Sequence, residues 1–266
     1  MLRVAMIAGL LLGSAAASLA SAVAPDADRL PSYITSISAQ LDPRVGQTLR
    51  QLDGTSRQLL ALRSYVRSAS HLAERWSWTR EQIEAYEGST EQRELQQEID
   101  RVRTAFVAAN PGFELHVNPQ VRSLDAQIEH WNSNDSVAAA AQQIFADAQT
   151  LVSSPNFPAD RPDQAREALR TFLSRYRPVP TPTIAAPGLS LHGQMRAVDF
   201  QVHQRGRIVA GPSTTTIATD WLAAGWAQRL NVAVRAASTR FVGPQTTPPA
   251  PWHYTYVPAV VARDGQ

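Results

Sequence analysis

From about Leu30 to Asn110 the apolar positions recur with a helical period. Leu59, Leu62, Tyr65 and Val66 fall on one stripe, and Leu95, Ile99, Val102 and Phe106 follow one another at helical spacing. Each set predicts a helix with one buried face. Thr79 with Gln82, and Ser89 with Gln92, have the spacing of capping boxes, which mark helix starts. Glu91, Glu94, Glu98, Arg101 and Arg103 form the solvated side of the second of these helices. Pro111-Gly112 ends it, and Phe113 to Val117 then alternates like a half-buried strand. After a turn at Asn118-Pro119, Arg122-Ser123 opens a helix carrying Leu124, Ile128 and Trp131. Two more helices are predicted, Ser136 to Leu151 and Pro162 to Tyr176, and the proline-rich run Arg177 to Pro187 reads as an extended connector.

The period changes after the connector. Ala197 to Val202 alternates as a strand, Arg205-Gly206 is a turn, and Arg207 to Ala210 returns, which predicts a hairpin. Asp220 to Leu230 is read as a helix, Phe241-Val242 as a short strand, and Trp252 to Val257 as the last strand. A hairpin flanked by long helices, without βαβ units, predicts an α+β fold with a mostly antiparallel sheet and a preceding N-terminal helical region.

The first residues alter the picture of where the protein works. Arg3 supplies a positive start, Val4 to Ala17 is apolar, and Ala20-Ser21-Ala22 is a small-residue cleavage site. This pattern predicts a signal peptide over residues 1–22, export to the periplasm and no membrane span after cleavage. The apolar run is shorter than the ~20 residues of a spanning helix. The chain of 266 residues has no cysteine, so neither a disulfide framework nor a lipidated cysteine contributes. Its net charge is +2 and its basic residues are all arginine, which gives no electrostatic case for nucleic acid.

Candidate chemistry lies in two short stretches. Pro187-Gly188-Leu189-Ser190-Leu191-His192 runs on to Ala197-Val198-Asp199-Phe200, and Pro251-Trp252-His253-Tyr254 follows near the end. His192, Asp199 and His253 supply two imidazoles and a carboxylate, a facial set for a metal with a fourth position open. On a continuous helix His192 and Asp199 would be separated by ~10 Å of rise, so the pattern requires a loop that turns into a strand. The carboxylate admits calcium or manganese, whereas two imidazoles favour zinc. The plain alternative is a loop histidine, a capping aspartate and a core Trp-His-Tyr strand.

These stretches resemble the two motifs of zinc D-alanyl-D-alanine carboxypeptidases of the VanY type, whose fold is shared with hedgehog signalling domains and phage peptidoglycan endopeptidases. Ser190-x-His192 with Ala197-x-Asp199 matches the S-x-H-x-x-G-x-A-x-D motif, and Pro251-Trp252-His253 matches the last three residues of E-P-W-H. Upstream, Gly112-Phe113 to Arg122-Ser123 and Gln127 is similar to the strand, turn and Arg-Ser segment of that family. The likeness covers roughly Ile99 to Val257, with a longer helical insertion between Arg122 and Ser190. It implies a domain over residues 99–258, after an N-terminal helical region over 23–98 and before a tail over 259–266.

The resemblance implies that His192, Asp199 and His253 bind zinc. It implies that Arg122 is the catalytic cation that contacts the substrate or its developing oxyanion, and that Ser190 helps to bind substrate by orienting the loop. The implied partner is a peptidoglycan stem peptide. Two residues depart from the family: its glycine after the first histidine is Met195, and its glutamate is Ala250. That glutamate takes the proton of zinc-bound water, and losing a general base costs ~10²–10⁴-fold. Met195 is expected to narrow the site or alter the loop. Glu114, His116, His203 and Asp220 are the candidates for a replacement base. The expectation is therefore a carboxypeptidase- or endopeptidase-like zinc protein with impaired catalysis. The alternatives are a non-catalytic zinc-containing module for a cell-wall peptide or protein partner, and a structural protein whose N-terminal helices carry the function.

Overall fold

A computed structural model describes residues 29–258. The predicted signal peptide, residues 23–28 of the predicted N-terminal helical region and the whole predicted tail over 259–266 lie outside the described residues. The chain is α+β, with an antiparallel curled sheet flanked by helices. Its helices are α1 (Leu30–Ser38), α2 (Pro43–Leu49), α3 (Gly54–Arg67), α4 (Leu72–Arg75), α5 (Arg80–Tyr86), α6 (Thr90–Ala109), α7 (Leu124–Ser133), α8 (Asp135–Val152), α9 (Pro162–Arg175) and α10 (Trp226–Ala237). The strands are β1 (Glu114–Val117), β2 (Ala197–Gln204), β3 (Arg207–Ala210), β4 (Phe241–Val242), β5 (Gln245–Thr246), β6 (Pro249–Ala250) and β7 (His253–Tyr256).

Local chemistry accounts for most element ends. Thr79 caps α5 in a full capping box with Gln82. At α6 the box is half made: Ser89 accepts from the Gln92 amide, but the Gln92 side chain accepts from Gly88 instead of Ser89. Ser123 and Asn134 cap α7 and α8 through their side chains, each satisfying an orphan N–H of the first turn. The helix predicted over Asp220 to Leu230 is two elements. Ile217–Ala223 is a π-helical turn, and α10 starts only after Gly225, whose φ of +76° breaks the run. A left-handed residue cannot continue a right-handed helix, so the apolar pattern survives while the axis does not.

Two hydrophobic clusters organise the chain. The first joins α1, α2 and α3 to α8 and α9, with Leu62, Tyr65, Ile144, Leu169 and Trp131 buried at its centre. The second joins α6 and α10 to the sheet, with Phe106, Phe200, Trp221, Leu230 and Tyr254 buried. The helices of the insertion between Arg122 and Ser190 thus share a core with the N-terminal helices. The stripe Leu95, Ile99, Val102, Phe106 faces the second cluster, as its period predicts, but Glu98 of the expected solvated face is buried, where it pairs with Arg101 and Arg240.

The sheet is built around β2. Its C-terminal half pairs with β1, from Glu114 opposite His203 to Val117 opposite Phe200. Its N-terminal half pairs with β7, which pairs in turn with β4. Strand β3 closes the expected hairpin, and the register shifts between Val202 and His203. Asp199 stands directly opposite His253 in the β2–β7 register. Opposed residues carry their side chains on one face within about 5 Å, and this pairing builds the site.

Candidate metal centre

The three expected ligands converge. His192 comes from a short 3₁₀ turn over Leu191–Gln194, immediately before β2, while Asp199 lies on β2 and His253 opens β7. His192 Nε2 is 3.2 Å from His253 Nδ1. The Asp199 carboxylate is 2.9 Å from His253 Nδ1 through Oδ1 and 3.4 Å from His192 Nε2 through Oδ2. Donor atoms of one tetrahedral zinc, with bonds of about 2.0–2.1 Å, stand about 3.3 Å from one another. The nitrogen–nitrogen distance is close to that value and each carboxylate oxygen lies near one of the nitrogens, so the group could hold a metal ion. The turn followed by a strand resolves the spacing difficulty that a continuous helix would present.

The electrostatics prepare these groups for a cation. All three side chains are largely buried, with exposures of 12, 18 and 16% for His192, Asp199 and His253. Burial disfavours the imidazolium form of His192 and lowers its pKa, against the pull of Asp199. The lowered pKa favours the neutral ring, the form in which an imidazole binds a metal once the coordinating nitrogen has given up its proton. Burial alone would raise the pKa of Asp199, but hydrogen bonds from His192 and His253 outweigh it and hold the carboxyl well below its usual range. Arg122 adds a guanidinium nitrogen 3.4 Å from Asp199 Oδ2.

The centre opens into a cavity of about 710 Å³, within the range of small-molecule sites. Arg122, Ser190 and Ala250 all line it beside the three ligands. Ala250 sits on β6, opposite Gln245 of β5, on the segment that leads into His253. Ser190 precedes the 3₁₀ turn, and its carbonyl, not its hydroxyl, closes that turn by accepting from the Gly193 amide. The expected metal ligands, Arg122, Ser190 and Ala250 are thus brought together around one cavity.

Four candidate bases are not brought there. Glu114 and His116 bond to each other at 3.0 Å, and His116 stacks on His203 with ring centroids 4.0 Å apart. They belong to the part of the sheet where β1 pairs with the C-terminal half of β2. His203 shares the parity of Asp199, but four residues of strand separate them by about 13 Å. Asp220 bonds the neighbouring Thr219 hydroxyl in the π-helical turn. None of the four lines the cavity. Asp199 is the only carboxylate among its lining residues, and Asp199 belongs to the metal group.

Met195 also departs from expectation. Its side chain is 3% exposed and packs in the second hydrophobic cluster, so it does not narrow the cavity. Its backbone is left-handed, with φ 49° and ψ 28°, a conformation that favours glycine. The position is thus one where glycine suits the turn, and here a methionine occupies it with a buried side chain.

Sequence reasoning missed the contribution of the N-terminal region. Arg75 of α4 lines the cavity, as does His130 of α7 in the later part of the chain, and Ser77 is buried against the ligand turn. A small polar residue between Trp76 and Trp78 was the available sign, since burial of such a residue requires hydrogen-bond partners. Comparisons with protein families, curated proteins and solved structures find no match to this chain.

Proposed function

We propose that this chain is an exported zinc protein directed at peptidoglycan, resembling D-alanyl-D-alanine carboxypeptidases and endopeptidases, with impaired hydrolysis. The observation that carries this reading is a cavity containing a His-Asp-His metal group and Arg122, but no second carboxylate. Two imidazoles and one carboxylate favour zinc over the harder cations. When bound, zinc acidifies its water and polarises a peptide carbonyl. Arg122 supplies a cation at the cavity wall for a substrate carboxylate or a developing oxyanion. His192, Asp199 and His253 hold the metal, and Ala250 offers no group to accept a proton.

The same observation favours a second reading, a non-catalytic module that retains zinc in order to grip a D-alanyl-terminated peptide or a protein partner. Metal analysis of purified protein, followed by D-alanine release from a stem pentapeptide, separates the readings. The expected result is stoichiometric zinc, lost in His253→Ala, with slow turnover. Ala250→Glu is expected to raise that turnover by at least ~10²-fold, the lower end of a general base's contribution. Peptide binding without turnover in either protein would favour the module. A wild type that binds no zinc, or one that turns over briskly and is unchanged by Ala250→Glu, would overturn the proposal. Export is tested by the mature N-terminus, expected at Val23; soluble cytoplasmic protein that retains Met1 would contradict it.

A further inference from the structure

The turn that presents His192 is held from outside by two separate chain segments. From the N-terminal side, the Ser77 amide donates to the Gly188 carbonyl at 2.8 Å and the Trp78 amide donates to the Gly193 carbonyl at 2.9 Å. Gln194, itself buried, donates its side-chain amide to the carbonyls of Glu74 at 2.8 Å and Trp76 at 2.7 Å. From the α7 side, the Arg122 amide donates to the His192 carbonyl at 3.1 Å. Gln127 links both segments to the turn: its amide nitrogen donates to the Ser77 hydroxyl and the Arg122 carbonyl, both at 2.8 Å, and its oxygen accepts from Gly188.

The Gln127 amide is paired through both its nitrogen and its oxygen, and the Gln194 amide nitrogen is paired twice; the side chains are nearly out of solvent, with exposures of 3% for Ser77, 5% for Gln127 and 8% for Gln194. Buried amides are costly unless satisfied, and a fully satisfied network fixes one geometry. Packing is equally close. A Cβ at Gly193 would collide with the Ser77 hydroxyl and stand 2.7 Å from the Gln127 amide nitrogen. Gly193 is adjacent to His192, so any displacement there moves the imidazole relative to Asp199 and His253, which the β2–β7 register fixes independently.

We infer that Ser77, Gln127 and Gln194 are positioning residues for the metal centre, and that the segment Glu74–Trp78 of the N-terminal region sets metal affinity by holding the His192 turn. The inference rests on the zinc reading above. It assigns the N-terminal helices a role in the site itself: the turn is shaped by a segment outside the stretch that resembles the peptidases. Residues that orient metal ligands from outside are worth about 10–100-fold in metal affinity.

The test measures zinc dissociation constants by chelator competition, and the visible d–d spectrum of the cobalt(II)-substituted protein, on the full chain. Gly193→Ala is expected to weaken zinc by about 10–100-fold and to shift the cobalt bands. Adding Ser77→Gly makes room for the new methyl but also removes the hydroxyl, so it is expected to improve on Gly193→Ala only as far as the affinity of Ser77→Ala, about tenfold below wild type. Ser77→Ala alone, which removes only a hydroxyl, is expected to weaken zinc by about tenfold with unchanged far-ultraviolet circular dichroism; it serves as the deciding variant if Gly193→Ala does not fold. Wild-type affinity and an unshifted cobalt spectrum in Ser77→Ala would overturn the inference. So would a folded Gly193→Ala protein with wild-type zinc affinity and an unshifted cobalt spectrum. A wild type without metal affinity would instead sink the zinc reading on which it rests.

Discussion

Replacing Met195 by alanine and by glycine should reverse the usual order of these two residues. The side chain is 3% exposed within the second hydrophobic cluster, and truncating a buried methionine costs about 2–5 kcal/mol. Both variants lose it. They differ in the backbone, because φ is 49° and ψ 28° at this position. An L-residue in the left-handed region costs roughly 1–2 kcal/mol, which glycine escapes. Glycine gives back about 0.5–1 kcal/mol through its more flexible unfolded chain. Met195→Gly should therefore be more stable than Met195→Ala by about 1 kcal/mol, although glycine is usually the worse choice. A chain of this size shifts its melting temperature by roughly 2–4 °C per kcal/mol. Met195→Ala should accordingly melt ~10 °C below wild type and Met195→Gly ~3 °C above Met195→Ala. The assay is thermal unfolding with chelator present, because bound metal would add its own stabilisation. Zinc affinity, measured separately, should change little, since Met195 faces the core and not the cavity. A glycine variant less stable than the alanine variant would refute the backbone argument. A marked gain in peptide turnover by Met195→Gly alone would refute the placement of the side chain.

Three further outcomes follow from the site. The pKa of His192 is lowered in the folded protein by burial, so below about pH 6.5, the ordinary imidazole value, the unfolded chain takes up a proton that the folded chain refuses. The His192 contribution to metal-free stability should thus decline as pH falls below ~6.5 and level off beneath the folded pKa; denaturant midpoints for wild type and His192→Gln between pH 5 and 8 would show it, and identical pH profiles would contradict the burial argument. Arg122→Ala removes a guanidinium that lines the cavity, and a hydrogen bond to a charged group is worth about 1.5–3 kcal/mol. Binding of a peptide with a free C-terminal carboxylate should weaken by roughly 10–100-fold in calorimetry, while an amidated peptide should lose much less. Joint replacement of Glu114, His116 and His203 by alanine should leave zinc content and any turnover unchanged, since none of them lines the cavity; loss of activity would return one of them to the role of base.

Much of the fold was legible because amphipathic periodicity is a local property. The stripe from Leu95 to Phe106 is buried as its spacing requires, and the predicted hairpin is the β2–β3 pair. Local reading failed where a single backbone angle decided the outcome. Gly225 divides the predicted helix after Asp220, and Met195, in a left-handed turn, packs its side chain in the second hydrophobic cluster.

What the sequence offered by itself was a candidate set of groups able to bind a metal, His192, Asp199 and His253, with alanine at position 250. Residue identity fixes donor chemistry, and the absence of a carboxylate from position 250 needs no coordinates to be seen. Only the tertiary structure decided which other groups share that space. Strand pairing placed Asp199 opposite His253 and left Glu114, His116 and His203 with one another where β1 meets the other half of β2. Helix packing brought Ser77, from the N-terminal region, against the turn of His192. Distance along the chain says nothing about such contacts, because burial of apolar faces and satisfaction of buried amides choose partners through space.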